Sequence, residues 1–399
     1  MPHSARYQLI PLILIVFFIT PVAAADKGKD FQRAYRSYQQ HIEANNLEQA
    51  LPAAEDAYNL GSRLYGRKSL NAAKLAINYA TLLNDTGEFK RARRVLKGKL
   101  KIMEEAYDTD ADELVAILME LGRAEFDTRR PKDGLAYFER ISAMLDEHEN
   151  KLYRGMKNWD IVKILLRRQG NAFTRKYVEA AHESYTNQLT PGDIRLGLAS
   201  YHMALWKLAD SQFEEAVSHL DASLIAFKTD ESQMHELEKT VRMMLVNTLE
   251  NAKESELATT HCLALGRDQT WKVPAQPLYI SMPDFPPELT NTALVGEFTL
   301  EFTIDEDGFV RDPGVTSSTH ADMDEVVLEA IGKFRYAPRF VEGKPVPTEG
   351  MNYTFSVDFS RSEGKNNFLS RPPLRGFQSG SKSGDDPFSV GGGGRGGGK

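Results

Sequence analysis

Two hydrophobic periods divide the chain. Between Phe31 and Gly266 apolar residues recur every three or four positions, as in Leu75, Tyr79, Leu82 and Leu83, or Val115, Leu118, Met119 and Gly122. That spacing lays one stripe along each amphipathic helix. Beyond Gly296 the period drops to two. In "EFTLEFTI", Phe298, Leu300, Phe302 and Ile304 alternate with Glu297, Thr299, Glu301 and Thr303. In "MNYTFSVDF", Met351, Tyr353, Phe355, Val357 and Phe359 alternate with Asn352, Thr354, Ser356 and Asp358. Each such strand has one buried and one wet face. Between them Met323, Val326, Val327, Ala330, Ile331 and Phe334 form a helical stripe, and Asp322 with Glu325 predicts a capping box at its start. The predicted order is strand, turn, strand, helix, strand, with the helix covering a small antiparallel sheet.

The two periods meet at "WKVPAQPLYISMPDFPPEL", which holds five prolines in nineteen residues. Proline cannot continue a helix and favours extended chain. The expected organisation is therefore a multidomain α and α+β protein. A helical repeat domain runs over 31–268, a proline-rich linker over 269–290 and a small α+β domain over 277–360.

The helical part repeats itself. Tyr65 and Tyr107 are 42 residues apart, and so are Ala50, Ala92 and Gly134 in turn. A later match is Phe213 with Ala216, and Tyr177 with Ala180 is the nearest candidate between them. With Gly87, Phe89 and Ala92 in "GEFKRA", and Leu47 with Ala50, this pattern resembles tetratricopeptide (TPR) repeats of the 42-residue kind found in kinesin light chains. A small residue lets two helices approach, an aromatic fills the gap beside it, and pairs stack because none buries its face alone. The resemblance implies a protein-binding scaffold. The basic run "KRARRVLKGKLK" (Lys90 to Lys101) reads as a solvated face with Ala92, Val95 and Leu96 turned inward, because the whole chain is acidic, with 49 basic against 56 acidic side chains.

The first 25 residues have their own pattern. Leu9 to Ile19 is apolar, and Ala23-Ala24-Ala25 precedes polar Asp26. This is the layout of a secretory signal peptide. The alternative is retention as an anchor in the inner membrane. Leu9 to Ala25 as helix would span about 26 Å, against a hydrocarbon core of about 30 Å. Export implies an oxidising compartment, yet Cys262 is the single cysteine, so no intramolecular disulfide forms. Cys262 reads as a small apolar helix residue. Residues 361–399 are rich in glycine and serine and read as a disordered, mildly basic tail.

Few motifs carry chemistry. The histidines show no metal spacing, no G-x-S-x-G occurs, and "GGGGRGGGK" ends before the Ser or Thr of a P-loop. The acidic stretch "FTIDEDGFVRDPG" fails as a calcium loop. With Gly308 at the sixth position, Gly314 stands where a bidentate glutamate is needed. Asp307-Gly308 between two strands reads instead as a hairpin turn held in water. The chain is expected to be no enzyme and to need no cofactor or metal.

Read together, residues 277–360 resemble the TonB C-terminal domain. The resemblance rests on Phe285-Pro286, then Gly296 with Phe298-Thr299-Leu300-Glu301-Phe302, and Asp305 through Gly308. It continues through Val315 with Ser317-Ser318, Met323-Asp324, Ala330-Ile331, Phe334-Arg335-Tyr336-Ala337-Pro338 and Gly343-Lys344-Pro345-Val346. It implies a periplasmic module that takes an extended segment of an envelope or outer-membrane partner, such as a TonB-dependent receptor, as an added strand beside its final strand. The matching peptide-binding residues are Met351, Asn352, Tyr353, Thr354, Phe355, Ser356 and Val357. The alternative it implies is a membrane-anchored energy transducer driven by an ExbB–ExbD motor. Pro313-Gly314 departs from the family pattern. Lacking an N–H, Pro313 predicts a bulge or an edge position in the second strand.

Overall fold

A computed structural model describes residues 25–127, 131–167, 170–228, 234–268, 276–285 and 295–358. The apolar N-terminal segment and the glycine-rich tail lie outside them. Thirteen helices come first: α1 (Ala25–Glu43), α2 (Leu47–Tyr65), α3 (Leu70–Asp85), α4 (Phe89–Leu96), α5 (Lys99–Glu104), α6 (Val115–Asp127), α7 (Pro131–Asp146), α8 (Lys151–Arg167), α9 (Arg175–Gln188), α10 (Ile194–Ala209), α11 (Phe213–Phe227), α12 (Glu236–Asn251) and α13 (Ser255–Arg267). The sheet domain follows as β1 (Val295–Ile304), β2 (Val310–Ser318), α14 (Asp324–Gly332), β3 (Arg339–Val341), β4 (Lys344–Val346) and β5 (Thr348–Asp358). The fold is a TPR-like series of helical hairpins followed by a small α+β domain. The chain divides into two compact units, the first ending at Gly170 and the second starting at Asn171.

In the first unit α1 packs on α2, α3 on α4, and α6 on α7. The 42-residue spacing marks the same point of successive hairpins. Ala50 and Ala92 are fully buried in α2 and α4. Gly134 lies in α7, where a Cβ would stand 2.7 Å from the carbonyl oxygen of Gly122. Gly122 in turn faces Phe138, 2.4 Å from where its own Cβ would be. Glycine and aromatic thus trade volume across the hairpin, and a side chain at either glycine would force the helices apart. The basic run is a largely solvated face, with Lys90, Arg94 and Lys97 exposed, and part of it is paired within the unit. Arg91 pairs with Glu55 and Glu88, Arg93 with Glu125, and Lys99 donates from Nζ to the Arg67 carbonyl at 2.6 Å. Ala92 and Leu96 are buried as expected, and Gly98, with φ of 74°, separates α4 from α5.

In the second unit α10 packs on α11 and α12 on α13. Tyr177 is buried in α9, but the small residue at the contact is Ala181; Ala180 is only half-buried. Three histidines of this unit are held neutral. Burial lowers His182, His202 and His261 each to about 4, helped at His182 by His219 and at His261 by Arg242. Cys262 is buried in α13, and desolvation pushes its thiol up to about 12, as an inert core residue requires.

The sheet runs β2-β1-β5, all antiparallel. Phe298, Leu300, Phe302 and Ile304 of β1 are buried with Val327, Ala330 and Ile331 of α14. Two expectations are corrected. Asp322 is not a cap: a 3-10 turn over Ala321–Met323 precedes α14, Met323 takes the N-cap position, and no side chain bonds there. A second hairpin, β3 with β4, pairs Arg339–Val341 with Lys344–Val346 before the final strand. In the described part of the proline-rich stretch, Leu278 donates its N–H to the Arg335 carbonyl at 2.7 Å and Tyr279 bridges to Arg335.

Candidate functional site

The seven residues read from the sequence as a peptide-binding strand all lie in β5. Met351 and Tyr353 are half-buried, Phe355 and Val357 buried, and Asn352, Thr354 and Ser356 exposed. The inward side chains are fixed by rings: Phe334 stands edge-on to Tyr353 and Phe355, at centroid distances of 5.0 and 5.7 Å. On the wet face Thr354 and Thr299 meet through their hydroxyls at 3.1 Å. One side of β5 pairs with β1 without a register shift from Val295↔Asp358 to Phe302↔Met351. No strand occupies its other side among the described residues.

The two edges of this sheet differ. At β2, Asp312 has φ of 50° beside Pro313, and the pairing with β1 shifts register between Glu301 and Thr303. The proline therefore sits both at an edge and at a bulge, as its missing N–H requires. Bulge, proline and the charges of Arg311 and Asp312 blunt that edge against pairing. From Met351 to Val357, past a register shift at Gly350, the other edge carries neither proline nor charge. Its unpaired N–H and C=O groups form a regular row that an extended chain can use.

The acidic turn is built differently from its expected form. Asp305 accepts from the N–H groups of Asp307 and Phe309 at 3.0 and 2.8 Å and from Arg311 Nε at 2.7 Å. Its carboxylate serves the turn itself. Gly308, at φ of 85°, closes the turn and donates to the Asp305 carbonyl. Glu306 and Asp307 are exposed, while the turn's backbone is held from within the domain. Tyr336 donates to the Gly308 carbonyl at 2.9 Å, and Arg335 donates to that of Asp307 at 3.1 Å.

Arg335 belongs to the family-like stretch Phe334–Pro338, but the motif did not disclose what its side chain does. It is 1% exposed, yet it carries a charge. Its guanidinium lies 3.6 Å from the Phe309 ring centroid, pairs with Glu250 and donates to Thr259 Oγ1 at 2.7 Å. Glu250 also accepts from Ser255 Oγ at 2.7 Å. Alternation gives its direction: Phe334 and Tyr336 point into the sheet's core, so Arg335 between them points the other way.

Residues 281–357 match the family model of the Gram-negative bacterial TonB protein C-terminal. No curated protein sequence matches the chain. Among solved structures, nearly identical TPR-like repeats from Podosopora anserina are 14% identical over 51% of this chain and 96% of that one, with a TM-score of 0.42. PilF of Pseudomonas aeruginosa is 12% identical over 60% and 92%, with a TM-score of 0.38. PilW, a widely conserved type IV pilus biogenesis factor, is 13% identical over 63% and 97%, with a TM-score of 0.36.

Proposed function

We propose that this chain is a non-enzymatic interaction protein of the cell envelope whose sheet takes an extended segment of a partner protein as a fourth strand beside β5. The carrying observation is the contrast between the blunted β2 edge and the uncharged stretch Met351–Val357 of β5, which pairs with β1 without a register shift, in a segment that matches the TonB C-terminal family. Main-chain hydrogen bonds would supply affinity, and side chains flanking Asn352, Thr354 and Ser356 would supply choice of partner. The partner class is an envelope protein with an accessible extended segment, such as an outer-membrane receptor of the TonB-dependent kind. The helical hairpins offer further protein-binding surface. Export through the apolar N-terminal segment is part of this reading.

The test places a photo-crosslinking side chain at Asn352 or Ser356, and as a control at Thr316 on β2, in the full chain in its native cells. A discrete partner adduct from the β5 positions and none from Thr316 is the expected result. Replacing Thr354 and Ser356 together by lysine is expected to lower that adduct about tenfold, the loss of about 1.4 kcal/mol of edge pairing. Equal adducts from both edges, or full capture by the lysine variant, would overturn strand addition at β5.

A further inference from the structure

A helical repeat buries its outer face against the next repeat, so the last one needs a cap. Helices α12 and α13 are the last hairpin, and no helix follows to cover them among the described residues before the sheet domain. Their core is nevertheless closed. Val241, Leu245 and Leu249 of α12 and Cys262 and Leu265 of α13 lie in one buried cluster whose remaining wall includes Leu278 and Ala337. Both of those residues come from beyond the helices.

The stretch 334–338 is two-sided. Phe334 and Tyr336 enter the core of the sheet domain, while Arg335 and Ala337 face the helices. Hydrogen bonds hold this stretch on both flanks, from Leu278 and Tyr279 on one side and from Gly308 on the other. The approach is close enough to dictate small residues. A Cβ at Gly266 of α13 would stand 2.2 Å from the Pro338 carbonyl oxygen. A Cβ at Gly308 would stand 2.1 Å from the Tyr336 carbonyl oxygen and 3.5 Å from Cys262 Cβ. Arg267 stacks on Phe340 of β3 at 5.5 Å. A loosely tethered module has no reason to bury a charged pair and two glycines at its boundary.

The structure assigns a second role to the sheet domain: it is the C-terminal cap of the helical hairpins, with Arg335 as its anchor and Leu278 and Ala337 replacing the apolar face of a further repeat. The β5 edge is then fixed in orientation relative to α12 and α13. The capping role does not depend on strand addition, so either can fail alone.

Hydrogen exchange on the full chain tests it from both sides. Gly266→Val, in α13, is expected to raise exchange about tenfold or more across the boundary, in residues 305–309 and 334–338, as well as locally. Ala337→Ser, a milder change from the opposite side, is expected to raise exchange in α12 and α13 more than in α14. Gly332→Ala, with open space around its Cβ, is the control expected to change neither. Exchange that rises only on the mutated side of the boundary, in both variants, would overturn the capping role and leave the sheet domain a tethered passenger.

Discussion

Replacing Arg335 by methionine is expected to destabilise the second unit by about 3–5 kcal/mol, the usual cost of removing one partner from a buried ion pair. Glu250 would stay buried with only Ser255 Oγ of its present partners, and Thr259 and the Asp307 carbonyl would each lose a donor. The stacking on Phe309 would also go. Most of that cost is the stranded carboxylate rather than the strength of the pair. Adding Glu250→Leu to Arg335→Met should therefore recover a large part of it, since apolar replacement of a whole buried pair is often close to neutral. Urea titrations of the two variants check both statements. A loss under about 1 kcal/mol for the single variant would mean that water reaches the pair and screens it as at a surface.

The residues that hold this boundary show what sequence can and cannot disclose. Burial against a neighbouring layer imposes a local period, so the stripes of β1, β5 and α14 were readable without knowing their partners. Pro313 was readable for a similar reason: a missing N–H restricts one residue wherever it stands, and it sits at the edge and bulge this predicts. Glu250 was not readable. It meets Arg335 across 85 positions, and nothing near it distinguishes it from an ordinary residue at a helix end. The charges of the acidic turn disclosed its exposed side chains, Glu306 and Asp307, but not that Arg335 and Tyr336 bind its backbone carbonyls. Asp322 fitted a capping box by spacing alone, but the 3-10 turn before α14 moved the helix start past it. The β3–β4 hairpin escaped because three-residue strands, one containing Pro345, carry too little alternation to register. In β5 both the strand and its inward face were legible, while the openness of its far edge is a property of the whole sheet.

Acid should unfold the second unit well before carboxylates alone would require. His182, His202 and His261 each titrate near 4 in the fold, against an ordinary value near 6.5, and His219 is lowered as well. The unfolded chain therefore binds more protons than the native one between about pH 6.5 and 4. The stability these groups contribute is fully present above pH 6.5 and is lost as pH falls through that window. A buried histidine such as His202 adds at most about 1.4 kcal/mol per pH unit to the slope, and the partly buried His182 and His261 add less because water screens them, so the three together stay below about 4 kcal/mol per unit. The surroundings favour this sign. Desolvation dominates at all four rings, His219 faces His182, Lys207 opposes charge on His219 more than Glu215 supports it, and Arg242 opposes charge on His261. Asp221, half-buried and raised by desolvation, works the other way but is a single group. Trp206 in α10 reports on this unit, and Trp159→Phe with Trp271→Phe isolates its fluorescence. Urea midpoints read from Trp206 should fall steeply between pH 6.5 and 5. Adding His202→Phe should flatten the slope by about one proton, because it removes a ring that must be buried uncharged. A midpoint independent of pH over that range would mean that the rings keep their ordinary affinity for protons inside the fold.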